Sequence, residues 1–326
     1  MKNCMLMIII LLLLIIFSCN KKESDDFQFD VSSRPSYSRD GNSILFSPRV
    51  KGKYRIFMLN LKNRSLKWIN TQLPLTDSCK DAILSFNGKK IAFIHIDNKS
   101  NIHEIYIMDP DGTNLKQLTK AGHYSFEPFF SPDGKRIYFL RALKQKKRSG
   151  AWLYCIDIDG KNEKKISDEN YNIINPNCTM DGKYIIFSEY YMGDYPGLDQ
   201  RIIKLKIDTG NSTIILDNKR GLVPIPANDG KRIFYLGTNL SNYEADKMSD
   251  EKKYSEIFGG IYSMNLDGRN NKILIKETWD TYYITISPDD KKVLYFFITN
   301  LMEYNLETNE IKEIIIDKEK IISLVP

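Results

Sequence analysis

The chain has 326 residues, 42% of them hydrophobic and 27% charged, a balance that excludes a disordered polymer. A net charge of +6 is too dilute over a surface this large to mark a nucleic-acid-binding protein. Nineteen tyrosines and 16 phenylalanines, with abundant isoleucine, favour strands over helices.

The first segment lies outside any fold. Lys2 is followed by an unbroken apolar run, Met5 to Phe17, with the length and charge of a secretory signal and too short to span a bilayer comfortably. The run ends Ile16-Phe17-Ser18-Cys19, which resembles the lipobox of bacterial lipoproteins, with Phe17 bulkier than the usual second residue. That resemblance implies removal of residues 1–18, a lipid on Cys19 and attachment to a membrane of the bacterial cell envelope, facing the periplasm or the cell surface. Residues 19–33 then read as a lipidated N-terminus and polar tether.

From residue 34 the chain repeats itself. Ser131-Pro132-Asp133-Gly134-Lys135-Arg136-Ile137-Tyr138-Phe139 has counterparts beginning at Ser38, Ser85, Thr179, Ala227 and Ser287. The turn glycine sits at 41, 88, 134, 182 and 230, with Asp290 in its place in the last copy. Asp-Gly and Asn-Gly between apolar runs are hairpin signals, because glycine enters the φ > 0 region without a Cβ clash. Three residues after the turn position stands Ile or Val, and five after it Phe or Tyr, in all six copies. Residues two apart share a strand face, so this pair packs to one side. A second turn, such as Asp109-Pro110-Asp111-Gly112 or Asp157-Ile158-Asp159-Gly160, separates two further strands in each copy. Repeats of about 40–50 residues with four strands each are propeller blades.

The Ser-Pro-Asp-Gly-Lys turn, the apolar strand after it, the Asp-x-Asp-Gly turn and Gln117-Leu118-Thr119 resemble the TolB-type (WD-repeat-like) β-propeller repeat. The expected fold is all-β, a six-bladed propeller of four-stranded antiparallel blades over residues 34–326. Its blades span about 34–76, 77–122, 123–170, 171–218, 219–278 and 279–326. Phe27 to Val31 alternates like a strand and Ile321 to Val325 is apolar; one of the two is expected to seal the first blade against the last.

Function on a repeat fold sits where the repeat is interrupted. The loops between second and third strands are longest in blades three, four and five, which are neighbours. They carry Lys144, Arg148 and Trp152; Tyr190, Tyr191, Asp194, Tyr195 and Asp199; and Tyr243, Tyr254 and Phe258. Tyrosine and tryptophan beside charged groups suit recognition of a protein or glycan, and these residues form the candidate binding face. The turn rim, by contrast, reads as regular and tight.

No catalytic constellation competes strongly with this reading. The three histidines, His95, His103 and His123, are too few for a metal site, and no Gly-x-Ser-x-Gly elbow or Gly-rich phosphate loop occurs. The Asp-x-Asp-Gly turns lack the downstream acid of a calcium loop. Cys155 and Cys178 stand where other copies have Ile107 and Phe130, as small buried hydrophobes; with Cys79 they make an odd number and no disulfide framework. Neither a cofactor nor a nucleic-acid partner is expected. The leading reading is a non-catalytic scaffold that binds a protein or glycan. The alternative is a polysaccharide-acting lyase or hydrolase using carboxylates such as Glu189, Asp194 or Asp199.

Overall fold

The computed structural model describes residues 27–28, 34–69, 71–120, 122–142, 151–167, 172–190, 200–217, 219–241, 260–276, 281, 283–297 and 300–326. Among them the architecture is all-β, with six four-stranded antiparallel sheets, one three-stranded sheet and a short C-terminal helix. Each four-stranded sheet is built from one sequence repeat, its strands hydrogen-bonded in chain order. The third is representative: Tyr124–Phe130, Arg136–Ala142, Ala151–Asp157 and Lys164–Lys165.

The turn between first and second strands has a repeated internal chemistry. Ser131 Oγ donates to Asp133 Oδ1 at 2.5 Å and accepts from Arg136 N at 3.0 Å. Asp133 Oδ1 also accepts from Lys135 N at 3.0 Å, which closes an Asx turn around Gly134, at φ +69°. The same bonds recur at Ser38, Ser85, Thr179 and Ser287. In the sixth sheet Asp290 takes the left-handed conformation, at φ +57°, and its carboxylate accepts from the backbone of Asn228 and Asp229 at 2.8 and 2.7 Å. Those bonds to the fifth turn offset the loss of the glycine. In the second turn, Asp111 and Asp159 likewise accept from Thr113 N and Lys161 N, so these carboxylates serve the backbone.

The Ile/Val and Phe/Tyr pair after each turn is buried in every sheet, none more than 3% exposed. Each pair faces the preceding sheet. Ile91 and Phe93 pack with Leu45, Ile56 and Ile69 of the first sheet, and Ile233 and Tyr235 with Ile186 and Ile202 of the fourth. The core is therefore a series of layers between successive sheets. Each such phenylalanine removes on the order of 2–3 kcal/mol of apolar surface from water.

The first strands are Ser36–Tyr37, Ser78–Leu84, Tyr124–Phe130, Ile173–Cys178, Lys219–Pro226 and Ile284–Ile286. Each touches the next, and that of the sixth sheet touches that of the first, so they surround a common axis.

Both candidate closing segments lie at the seam between the first and sixth sheets. Phe27–Gln28 pairs with Arg49–Val50 in the small three-stranded sheet, and Ile321 to Val325 lies in or just after a helix, Lys318–Leu324. Asp317 caps that helix by accepting from Lys320 N at 2.9 Å. The sixth sheet already has four strands from its own repeat, leaving no ladder for the tail to complete. Both segments instead add side chains to one cluster: Phe27, Ile321 and Val325 pack with Phe46 and Leu59 of the first sheet and Leu294, Leu301 and Ile314 of the sixth. Tyr37 Oη also donates to Glu303 Oε2 across this seam, at 3.0 Å.

Candidate functional site

The expected binding face falls mostly outside the described residues: Lys144, Arg148, Tyr191, Asp194, Tyr195, Asp199, Tyr243, Tyr254 and Phe258 all do. Tyr190 ends the strand Tyr184–Tyr190, its backbone opposite Gln200. Trp152 lies in the strand Ala151–Asp157 rather than a loop, 9% exposed, with Lys165 Nζ 5.3 Å from its ring centre. Glu189 is buried and accepts from Arg201 Nε at 2.6 Å, a structural ion pair. His95 Nε2 lies 2.9 Å from Asp77 Oδ2, and His103 begins the strand His103–Met108, edge-on to Tyr124. Burial and Lys80 push the His103 imidazole down to about 4, so it is neutral at physiological pH. Cys178 is half-buried rather than buried as expected; desolvation pushes the thiols of Cys79 and Cys178 up to about 11 and 12, far from the range of a reactive thiolate.

What converges is on the axis. On the turn rim, a cavity of about 180 Å³ is lined by residues from all six sheets. Its mouth is made by the second residue of each turn: Arg39, Phe86, Pro132, Met180, Asn228 and Pro288. The Arg39 guanidinium sits 4.4 Å from the Phe86 ring centre, and Pro288 lies against Gly41. Deeper, the wall is aromatic and polar, with Tyr37, Phe129, Phe130 and Asn177. The backbone of this rim is regular, yet its variable position makes a chemically distinct funnel.

Deeper still lies a second set of equivalents, seven residues before each turn position: Arg34, Asp81, Glu127, Asn175, Val223 and Tyr283. In four sheets this residue is left-handed, with φ of 52°, 49°, 50° and 49° at Asp81, Glu127, Asn175 and Val223. Each sits in a bulge of the first strand, between Lys80 and Ile83, Phe126 and Phe129, Ile174 and Asn177, and Leu222 and Ile225. A β-branched residue at positive φ is strained by about 1–3 kcal/mol, so the geometry at Val223 is imposed by its surroundings.

The bulges bring polar groups together. Glu127 Oε2 accepts from Asn175 N at 2.6 Å, Arg34 Nη2 donates to Asn177 Oδ1, and Asn177 Nδ2 donates to Pro224 O at 2.9 Å. Glu127 is half-buried, and the protein packed around its carboxyl governs its titration. Desolvation pushes its carboxyl up to about 7, with Asp81 adding to the rise and Arg34, the Asn175 amide and Lys80 opposing it. Burial, then Glu127 and Asp81, raises Tyr283, so its hydroxyl stays protonated.

These positions escape a reading that looks only for interruptions. The signal was present as the most variable position of the repeated turn, and as polar residues at one register of strands that should be apolar.

A ring of four-stranded antiparallel sheets around an axial funnel defines the protein as a β-propeller. Residues 98–256, just under half of the chain, match the TolB beta propeller domain, so the repeats in that stretch are of the TolB type. A TolB homologue from Chlorobium luteolum is 35% identical over 65 residues, 19% of this chain and 15% of the homologue, so the match spans only a small part of that relative. The structure of putative TolB from Agrobacterium tumefaciens is similar with a TM-score of 0.60 at 21% identity, covering 81% of this chain and 90% of that one. Oligogalacturonate lyase from Vibrio parahaemolyticus is similar with a TM-score of 0.55 at 13% identity, covering 82% and 86%. At these identities the likeness is one of fold.

Proposed function

We propose that the protein is an envelope lipoprotein, cleaved before Cys19 and held to a membrane by a lipid on that residue. On this reading the six four-stranded sheets are the six blades of a closed propeller, and the three-stranded sheet is an accessory to the first. The propeller is a non-catalytic module that docks a protein or glycan partner. Unbroken contact among the six first strands supports the blade count. The TolB-type repeats support a scaffold role.

The observation that carries the binding reading is the composition of the funnel. Its described lining has one arginine, Arg39, beside aromatic, proline and amide side chains, and neither a carboxylate nor a histidine. Such a surface has contact area and one charged anchor, without the carboxylate or imidazole that most often serves as general acid or base. A photo-crosslinking residue at Met180, in the funnel mouth, should capture a partner in intact cells, whereas one at Lys161, outside it, should not. Equal capture at both sites, or none at Met180, rules the funnel out as the docking site.

One observation keeps the enzyme alternative: Asp81 and Glu127 share the axis with Arg34, the grouping a polysaccharide lyase or hydrolase needs. Turnover of a polysaccharide that is abolished by Glu127→Gln decides for that reading.

A further inference from the structure

The seam between the sixth and first sheets holds a groove of about 670 Å³. Five cations line it: Lys62 and Arg64 on the second turn of the first sheet, Lys292 and Lys312 on the sixth, and Lys320 on the C-terminal helix. Three carboxylates share the lining, and two are committed. Glu303 is buried between Lys292 at 3.2 Å and Lys312 at 2.9 Å, and Asp317 caps the helix. The groove thus carries a net positive charge. Along it stands Ile315, at 71% the most exposed large apolar side chain among the described residues. Basic residues around a projecting apolar side chain suit the interface of an anionic bilayer, where each cation near the surface adds attraction and the apolar group enters the headgroup layer.

The tether leads to the same seam. Phe27 is buried there with Ile321 and Val325, and Lys318 Nζ lies 5.6 Å from its ring centre. Phe27 lies eight positions after Cys19, a reach of at most ~28 Å.

We propose that this seam is a membrane-docking surface that rests on anionic phospholipid headgroups, so that the propeller stands on its edge with both axial mouths open to solution. The proposal rests on the lipoprotein reading for its tether, and on Lys62, Arg64, Lys312, Lys320 and Ile315 for its contact.

The test uses the full lipidated chain reconstituted on phosphatidylcholine vesicles with and without phosphatidylglycerol, with acetylation of each lysine read by mass spectrometry. On the anionic vesicles, labelling of Lys62, Lys312 and Lys320 should fall about fivefold relative to neutral ones. The protection should vanish at about 0.5 M salt. Lys135 and Lys161, on turns of the third sheet, should label equally on both. Lys62→Glu with Lys320→Glu should remove the protection, as should Ile315→Asp, whose exposed position leaves folding intact. Equal labelling on the two vesicle types overturns the proposal, and so does equal protection by inorganic phosphate without vesicles, which makes the groove a soluble-anion site. A chain that fails to float with neutral vesicles sinks the lipid anchor instead; phosphatidylglycerol-dependent protection in that chain still upholds the seam.

Discussion

Glu127 lowers the stability of the fold at neutral pH, and the size of that loss follows from its surroundings. An ordinary glutamate titrates near 4.5, whereas enclosure among the first strands raises Glu127 to about 7. At about 1.4 kcal/mol for each tenfold change in proton affinity, ionising it in the native state costs about 3 kcal/mol more than in the unfolded chain. The native carboxyl holds its proton up to about pH 7, while the unfolded one releases it near 4.5. The native state is therefore unpenalised below pH 4.5, loses ground between 4.5 and 7, and bears the full cost above. Glu127→Gln keeps an oxygen to accept from Asn175 N and cannot ionise. It should leave stability nearly unchanged at pH 4.5 and raise it by up to about 3 kcal/mol at pH 8.5, a rise in Tm of about 5 °C for a chain of this size. Thermal unfolding of both proteins across this range is the assay. Curves that run parallel, or a variant less stable at pH 8.5, refute the account of the axial carboxylate.

Three other outcomes are expected. Arg141 is buried and held by Glu163 at 2.5 and 3.0 Å, so Glu163→Ala should cost about 2–3 kcal/mol in urea unfolding; adding Arg141→Met should recover most of that, because the stranded charge is then gone. Ile321→Ala empties a fully buried site in the closing seam and should cost about 2–5 kcal/mol, with hydrogen exchange rising first in Phe57–Asn60 and Asn300–Asn305. The turn carboxylates act at lower pH. Hydrogen bonds from Ser38 and Asn42 hold Asp40 at about 2, and Asp133, Asp181, Asp229 and Asp289 are also lowered. A depressed carboxylate stabilises the fold above its unfolded value and loses that contribution as pH falls, so the urea midpoint of Glu127→Gln should be flat above pH 5 and decline between about 4 and 2.

The strands were legible because their cause is local. Asp-Gly forces a turn, and the Ile/Phe pair two residues apart must share a face, so each repeat declares its first hairpin without reference to the others. The axial ring was not legible because a bulge inserts one residue and reverses the alternation. Asp81 and Glu127 point where they do only after a register shift that no single strand reveals. How the two ends meet at the seam was not legible for another reason. Ile321-Ile322-Ser323-Leu324-Val325 is apolar enough for a strand, but Asp317 supplies a helix cap, and Ile321 and Val325, four apart, both reach the seam cluster. Trp152 was assigned to a loop by composition, yet its backbone pairs with Arg141 within the sheet.

The seam also sets the order in which this chain can fold. Most layers of the core join one repeat to the next, so they form between segments about 50 residues apart. The closing contacts are of another kind: Tyr37 and Glu303 are 266 positions apart, and Lys51 donates to Val325 O across 274. Loop-closure entropy grows only logarithmically, by about 2 kcal/mol over the cost of a 20-residue loop, so the thermodynamic burden is small. The kinetic one is larger, because these contacts cannot begin until the distant segment exists, tens of seconds after the first repeat at typical synthesis rates. An emerging chain therefore passes through open arcs of two to five repeats, each ending in an uncovered apolar face, and those arcs are the forms in which it is most exposed to mispairing with a second copy.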